Sequence, residues 1–113
     1  MKTRNLQKWE KFESEICKFL GMDHIDGSWK PDCKNPNDPT EIAEAKSYSR
    51  NFNAYDLKRE LKNAKNHGGK KIRIIVKHEC TENTKKLAEQ LPEVILRCNC
   101  NDLFKIRRQT LHN

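Results

Sequence analysis

PDCKNPNDPTEIAEAK, residues 31–46, is the stretch on which the reading of this chain turns. Its middle, Asn35-Pro-Asn-Asp-Pro39, is a dense turn signal, because proline fixes φ and Asn and Asp bond their own backbone. The segments on either side can pair as two arms of a hairpin, with Thr40 to Lys46 as the strand after the turn. The midpoint between residues 32 and 44 is residue 38, inside that turn. Asp32 and Glu44 are therefore expected opposite, or nearly opposite, on neighbouring strands. Like charges directly opposed destabilise a sheet, and a divalent cation between them would reverse the sign of that effect.

Glu44 and Lys46 lie two apart on the same strand, so both point to one face and Ala45 to the other. A surface ion pair would account for them in a chain with 35% charged residues. Ile42, Ala43 and Ala45 nevertheless make the segment rather apolar, as an inner strand is, and charges on an inner strand need a reason.

Moving towards the N-terminus, residues 22–46 are punctuated by Gly27, Pro31, Pro36 and Pro39, which excludes helix and leaves a hairpin or a three-stranded meander. Before it, Thr3 to Leu20 reads as an amphipathic helix. Leu6, Trp9, Phe12, Ile16, Cys17, Phe19 and Leu20 share one broad face, and Gly21 is placed to stop it. Glu13 falls within that apolar face and Glu15 near the opposite side. A buried carboxylate is costly unless paired or bound to a cation, so Glu13 needs a lysine partner, a solvent-reaching edge position or a metal.

Towards the C-terminus, Asn53 to His67 returns to helix, with Asn53 as cap, Asp56 three residues on, and Leu57, Leu61 and Ala64 as the buried stripe. Gly68-Gly69 ends it. Lys71 to Lys77 is a strand, Thr81 to Gln90 a helix, Val94 to Arg97 a short strand, and Asp102 to Arg108 leans to helix. Strands alternating with helices imply an α/β domain with a mixed central sheet flanked by helices.

The whole chain is 113 residues, a length suited to one domain, 1–113. Lys+Arg 23 against Asp+Glu 16 gives a net charge of +7, which favours a polyanionic partner, most simply nucleic acid. No apolar run approaches the roughly 20 residues needed to span a bilayer, so no membrane is expected. The charged opening MKTRNLQKWEKF gives no secretory signal. Five cysteines, an odd number, suggest reduced thiols in a cytoplasmic compartment.

A helix-borne Glu, then Pro-Asp, then Glu-x-Lys on the next strand stand here as Glu13, Pro31-Asp32 and Glu44-Ala45-Lys46. In this order and spacing the chain resembles the PD-(D/E)xK nucleases, and within them the archaeal and viral Holliday-junction resolvases. The likeness covers about residues 6–77; the chain beyond 78 has no counterpart. It implies the restriction-endonuclease-like α-βββ-α-β core and a Mg²⁺-dependent DNA endonuclease acting on four-way junctions in recombination, as a homodimer. Glu13, Asp32, Glu44 and the Ala45 carbonyl would hold Mg²⁺, with Mn²⁺ able to substitute. Lys46 would position the attacking water and stabilise the transition state, and Ser28 falls where these resolvases carry a loop serine near the cleaved phosphate.

Lys30, Arg50, Lys58, Arg59, Lys62 and Lys65 are candidate DNA contacts. Lys58, Lys62 and Lys65 recur at helical spacing, as phosphate-tracking residues would, or simply as a solvated helix face. Trp29, Tyr48, Phe52 and Tyr55 could stack on bases or belong to the core. His78, Cys80, Cys98 and Cys100 offer four zinc-ligand types, but their spacing matches no standard zinc pattern and zinc is not expected. Two other functions stay open: a nicking or restriction-type endonuclease without junction preference, and a non-catalytic basic nucleic-acid-binding module, zinc-stapled through those four residues.

Overall fold

In the computed structural model, residues 8–25 and 31–100 are described, with side chains from Glu10 onward in the first helix. Ser28, Trp29, Lys30, Leu6, the Trp9 side chain and the helix expected at Asp102 to Arg108 lie outside the described residues. The order of elements is α1 (Lys8–Leu20), β1 (Asp23–His24), β2 (Cys33–Asn35), β3 (Asp38–Lys46), α2 (Ala54–Asn66), β4 (Lys71–Val76), α3 (Glu82–Glu89) and β5 (Val94–Arg97). All five strands join one sheet in sequential order. β1, β2 and β3 form an antiparallel meander, so the hairpin alternative extends to three strands. β4 and β5 then add in parallel.

The parallel half consists of two strand–helix–strand crossovers. Crossovers of one hand that step the same way along a sheet put both helices on one face. α2 and α3 accordingly share a core with alternate residues of the sheet: Ile42, Ile72, Ile74 and Val76 meet Leu57, Leu61, Ala64 and Ala88. The odd-numbered strand residues face the other way. There α1 lays Phe12 and Ile16 over Ala45 and Ile75, and Cys17 over Ala43 and Cys33. Alanine at both α1-facing positions of β3 lets the helix approach the sheet closely.

Local chemistry explains the boundaries. Gly21 ends α1 at φ +70°, and the N–H of Met22 reaches back to the Cys17 carbonyl at 2.8 Å. Asn53 and Asp56 cap α2 reciprocally, as the sequence suggested. Gly69 has no alternative, since a Cβ there would stand 2.9 Å from the Ala64 carbonyl oxygen. At the start of β3, Asp38 accepts from both the N–H and the hydroxyl of Thr40, and Asn35 at the end of β2 donates to Glu41 at 2.6 Å.

The cysteines depart from expectation. Cys17 is bonded to Cys33 and Cys80 to Cys98, while Cys100 is buried outside both bridges. The odd count was a poor guide because pairing depends on how α1 crosses β2, which sets the Cys17 and Cys33 Cα atoms 5.3 Å apart. With four of the five cysteines bridged, they do not mark a reducing compartment. A zinc staple through His78, Cys80, Cys98 and Cys100 is likewise not what this fold builds, since two of its four ligands are consumed by the bridge. Among the described residues no helix is long and apolar enough to cross a membrane.

Candidate active site

The β2–β3 register pairs Cys33 with Ala43 and Lys34 with Ile42. One step further along the same register, Asp32 comes opposite Glu44. The Asp32 carboxylate accepts the Ala45 N–H at 2.8 Å, which fixes it against the site strand. Glu44 and Lys46 project together from β3 to the α2 side, and the Lys46 ammonium stands 3.7 Å from Glu44 and 4.0 Å from Asp32. Glu13 comes from α1 on the other face, is half-buried, and hydrogen-bonds Asp32 through its side chain. Four of the five catalytic candidates of the sequence, Glu13, Asp32, Glu44 and Lys46, therefore meet at one place, the fifth, Ser28, lying outside the described residues.

Their electrostatics are unbalanced. Glu44 is 1% exposed, and its Oε1 is buried without a hydrogen-bond partner among the described residues. Burial, then the charges of Asp32 and Glu60, push its carboxyl up to about 9 against the opposing pull of Lys46. Glu13 is pushed to about 9 as well, by burial first and then by its hydrogen bond to Asp32 and the charge there. Burial would lower Lys46, but Asp32, Glu60 and Glu44 together outweigh it and hold the ammonium well above the ordinary lysine range. The result is more carboxylate than one lysine can neutralise.

Sequence reasoning passed over Glu60. It is buried on α2, and its Oε2 lies 3.3 Å from the Lys46 ammonium. The signal was present: in Leu57, Glu60, Leu61 and Ala64 it occupies the i+3 place of the apolar stripe. The reasoning that singled out Glu13 applies to it unchanged. Asp56, one turn earlier, is buried too and is held below the usual carboxylate range by the Arg50 guanidinium, which grips it at 2.6 and 2.8 Å.

The candidate DNA contacts divide. Arg50 is engaged by Asp56 and lies over the Tyr48 ring at 4.7 Å. Arg59 donates to the Tyr48 hydroxyl at 2.6 Å and neighbours Asp56 and Glu60. Lys58, Lys62 and Lys65 are exposed, and no ion pair joins them to any other described residue. At about 100° per residue they fall on the flank of α2 opposite Asp56 and Glu60, and so do not border the carboxylates. Phe52 is core, with Tyr48 stacked on it, whereas Tyr55 is 71% exposed beside Arg59.

All the candidate ligand side chains bear oxygen, and an oxygen shell suits Mg²⁺ rather than zinc. The partnerless Glu44 oxygen and the surplus of carboxylates are what a divalent cation would satisfy. Among the described residues, however, no three His, Cys, Asp or Glu side chains are disposed as they stand to hold a metal ion. No family model, curated protein or solved structure matches the chain.

The wheel position of Glu13 yields a direct expectation. Glu13→Gln should slow any cleavage roughly tenfold or more beyond Glu15→Gln, compared as single-turnover rates. Equal effects of the two substitutions would remove Glu13 from the site.

Proposed function

We propose that this chain is a Mg²⁺-dependent DNA endonuclease of the PD-(D/E)xK kind, acting on branched DNA as a homodimer. The observation that carries the reading is the meeting of Glu13, Asp32, Glu44 and Lys46 around a buried, partnerless carboxylate oxygen. The element order and the antiparallel-then-parallel sheet support it, being those expected of an α-βββ-α-β core. So does the net charge of +7, which draws a polyanion from a distance.

Asp32, Glu44 and Glu13, with the Ala45 carbonyl, would hold Mg²⁺, or Mn²⁺ in its place. The bound cation would lower the pKa of a water and neutralise charge on the scissile phosphate. The chain's own residues do the rest. Lys46 orients the attacking water by donating to it and offsets negative charge as it develops on the phosphate. Asp32, held by the Ala45 N–H, keeps a fixed position against β3. Two-fold pairing of copies would present two such sites to two strands, as paired incisions of a four-way junction require.

The test uses end-labelled four-way junction, duplex and single strand, each incubated with the protein in Mg²⁺ or in chelator. Mg²⁺-dependent cutting of the junction in preference to the other two is expected. Equal cutting of junction and duplex would leave an endonuclease without junction preference. Binding without cutting would overturn the catalytic reading in favour of a basic DNA-binding module.

A further inference from the structure

We infer that Glu60 is a positioning residue for Lys46, the counter-charge that keeps the ammonium aimed into the site once the other carboxylates are engaged; this rests on the nuclease reading above. Three carboxylates surround Lys46, at 3.3 Å for Glu60, 3.7 Å for Glu44 and 4.0 Å for Asp32. Glu60 is the nearest. It is also the one that is not a candidate metal ligand. A cation taken up by Asp32 and Glu44 would neutralise both and repel the ammonium, leaving Glu60 as the anionic partner of Lys46.

The surroundings of Glu60 suit such a task. Its second oxygen, Oε1, lies 3.9 Å from Arg59 Nε, so Oε2 is the oxygen turned to Lys46. Arg59 is itself steadied by Asp56 at 3.6 Å and by the Tyr48 hydroxyl. Asp56 belongs to the reciprocal cap of α2 and is gripped by Arg50. Glu60 thus stands one turn beyond Asp56, in a helix whose start is fixed at several points. Lysine has a long flexible stem, and an anchor on a separate, rigid element narrows where its head can go. Glu44 cannot supply that constraint, because it rides on the same strand as Lys46.

Glu60→Gln keeps the shape and removes the charge. Its single-turnover cleavage rate at saturating Mg²⁺ should fall about tenfold, while DNA affinity and the Mg²⁺ concentration for half-maximal rate stay at parental values. Glu60→Asp should recover part of the rate. A second measurement needs no activity: brief acetylation with acetic anhydride, read by peptide mass spectrometry, should label Lys46 several-fold faster in Glu60→Gln, with Lys58 unchanged as internal reference. A parental cleavage rate in Glu60→Gln overturns the inference, and so does a raised Mg²⁺ requirement, which would make Glu60 a ligand. A parent that cuts no DNA removes the nuclease reading instead. Labelling then decides the anchor alone, and unchanged Lys46 labelling overturns it.

Discussion

Glu44→Gln should bind DNA, fail to cut it, and melt at a higher temperature than the parent at pH 8. The loss of cleavage follows from removing a carboxylate at the centre of the site. The gain in stability follows from its surroundings. The Glu44 carboxyl is buried, one oxygen has no partner, and its proton is retained to about 9. In the unfolded chain the same group ionises near 4.5. Stability from the retained proton is therefore complete below 4.5 and is lost as the pH rises through 9. Each proton held by the folded state alone makes stability fall by about 1.4 kcal/mol per pH unit. An amide cannot ionise, so Glu44→Gln should lose less on going from pH 5 to pH 9, although Glu13 still contributes a slope of the same sign.

Mg²⁺ should raise the melting temperature of the parent at pH 8, because it binds the folded state, and raise that of Glu44→Gln little or not at all. Thermal melts at three pH values, with and without Mg²⁺, read all of this beside the cleavage assay. Undiminished cutting by purified Glu44→Gln protein would end the nuclease assignment. Equal melting of the two proteins at pH 8 would mean that the carboxylate is better satisfied than its surroundings indicate.

The second large effect concerns the bridge between α1 and β2. Cys17 and Cys33 are 16 residues apart, and closing a loop of that size restricts the unfolded chain by about 3 kcal/mol. Urea unfolding of the oxidised protein should exceed that of Cys17→Ser/Cys33→Ser by about this amount. The bridge also has a place in the site. Glu13 stands one helical turn before Cys17, and Asp32 immediately precedes Cys33. Opening it frees the helix carrying one carboxylate from the strand carrying the other. Cleavage should therefore suffer more than DNA binding. A double variant as stable and as active as the parent would show that packing of Ile16 and Phe12 holds α1 without help.

Much of this was legible in residues 31–46. The turn residues around Pro36 and Asn37 fix where the chain reverses, and the alternation of Ile42, Ala43, Glu44 and Ala45 fixes which side each faces. The tight turn pairs Asn35 with Asp38, a register that alone would set Asp32 against Glu41; the shift between Lys34 and Asn35, which no turn residue announces, brings it opposite Glu44. The cap at Asn53 was plain, since its partners are local. What escaped depends on how elements lie across one another. The bridge between Cys17 and Cys33 needs the crossing of α1 over β2. That the flank carrying Lys58, Lys62 and Lys65 turns away from the carboxylates depends on the roll of a crossover helix, whereas Glu60 was legible in the apolar stripe it shares with Leu57 and Leu61.

β3 is the middle strand of five, paired to β2 on one side and β4 on the other and covered by helices on both faces. Amides so enclosed exchange with solvent only when most of the molecule opens, whereas those of the two-residue edge strand β1 exchange by local fraying. Glu44 and Lys46 therefore ride on the segment that comes apart last. Partial opening at β1 or at the ends of the helices would leave them in place, and only cooperative unfolding would scatter them.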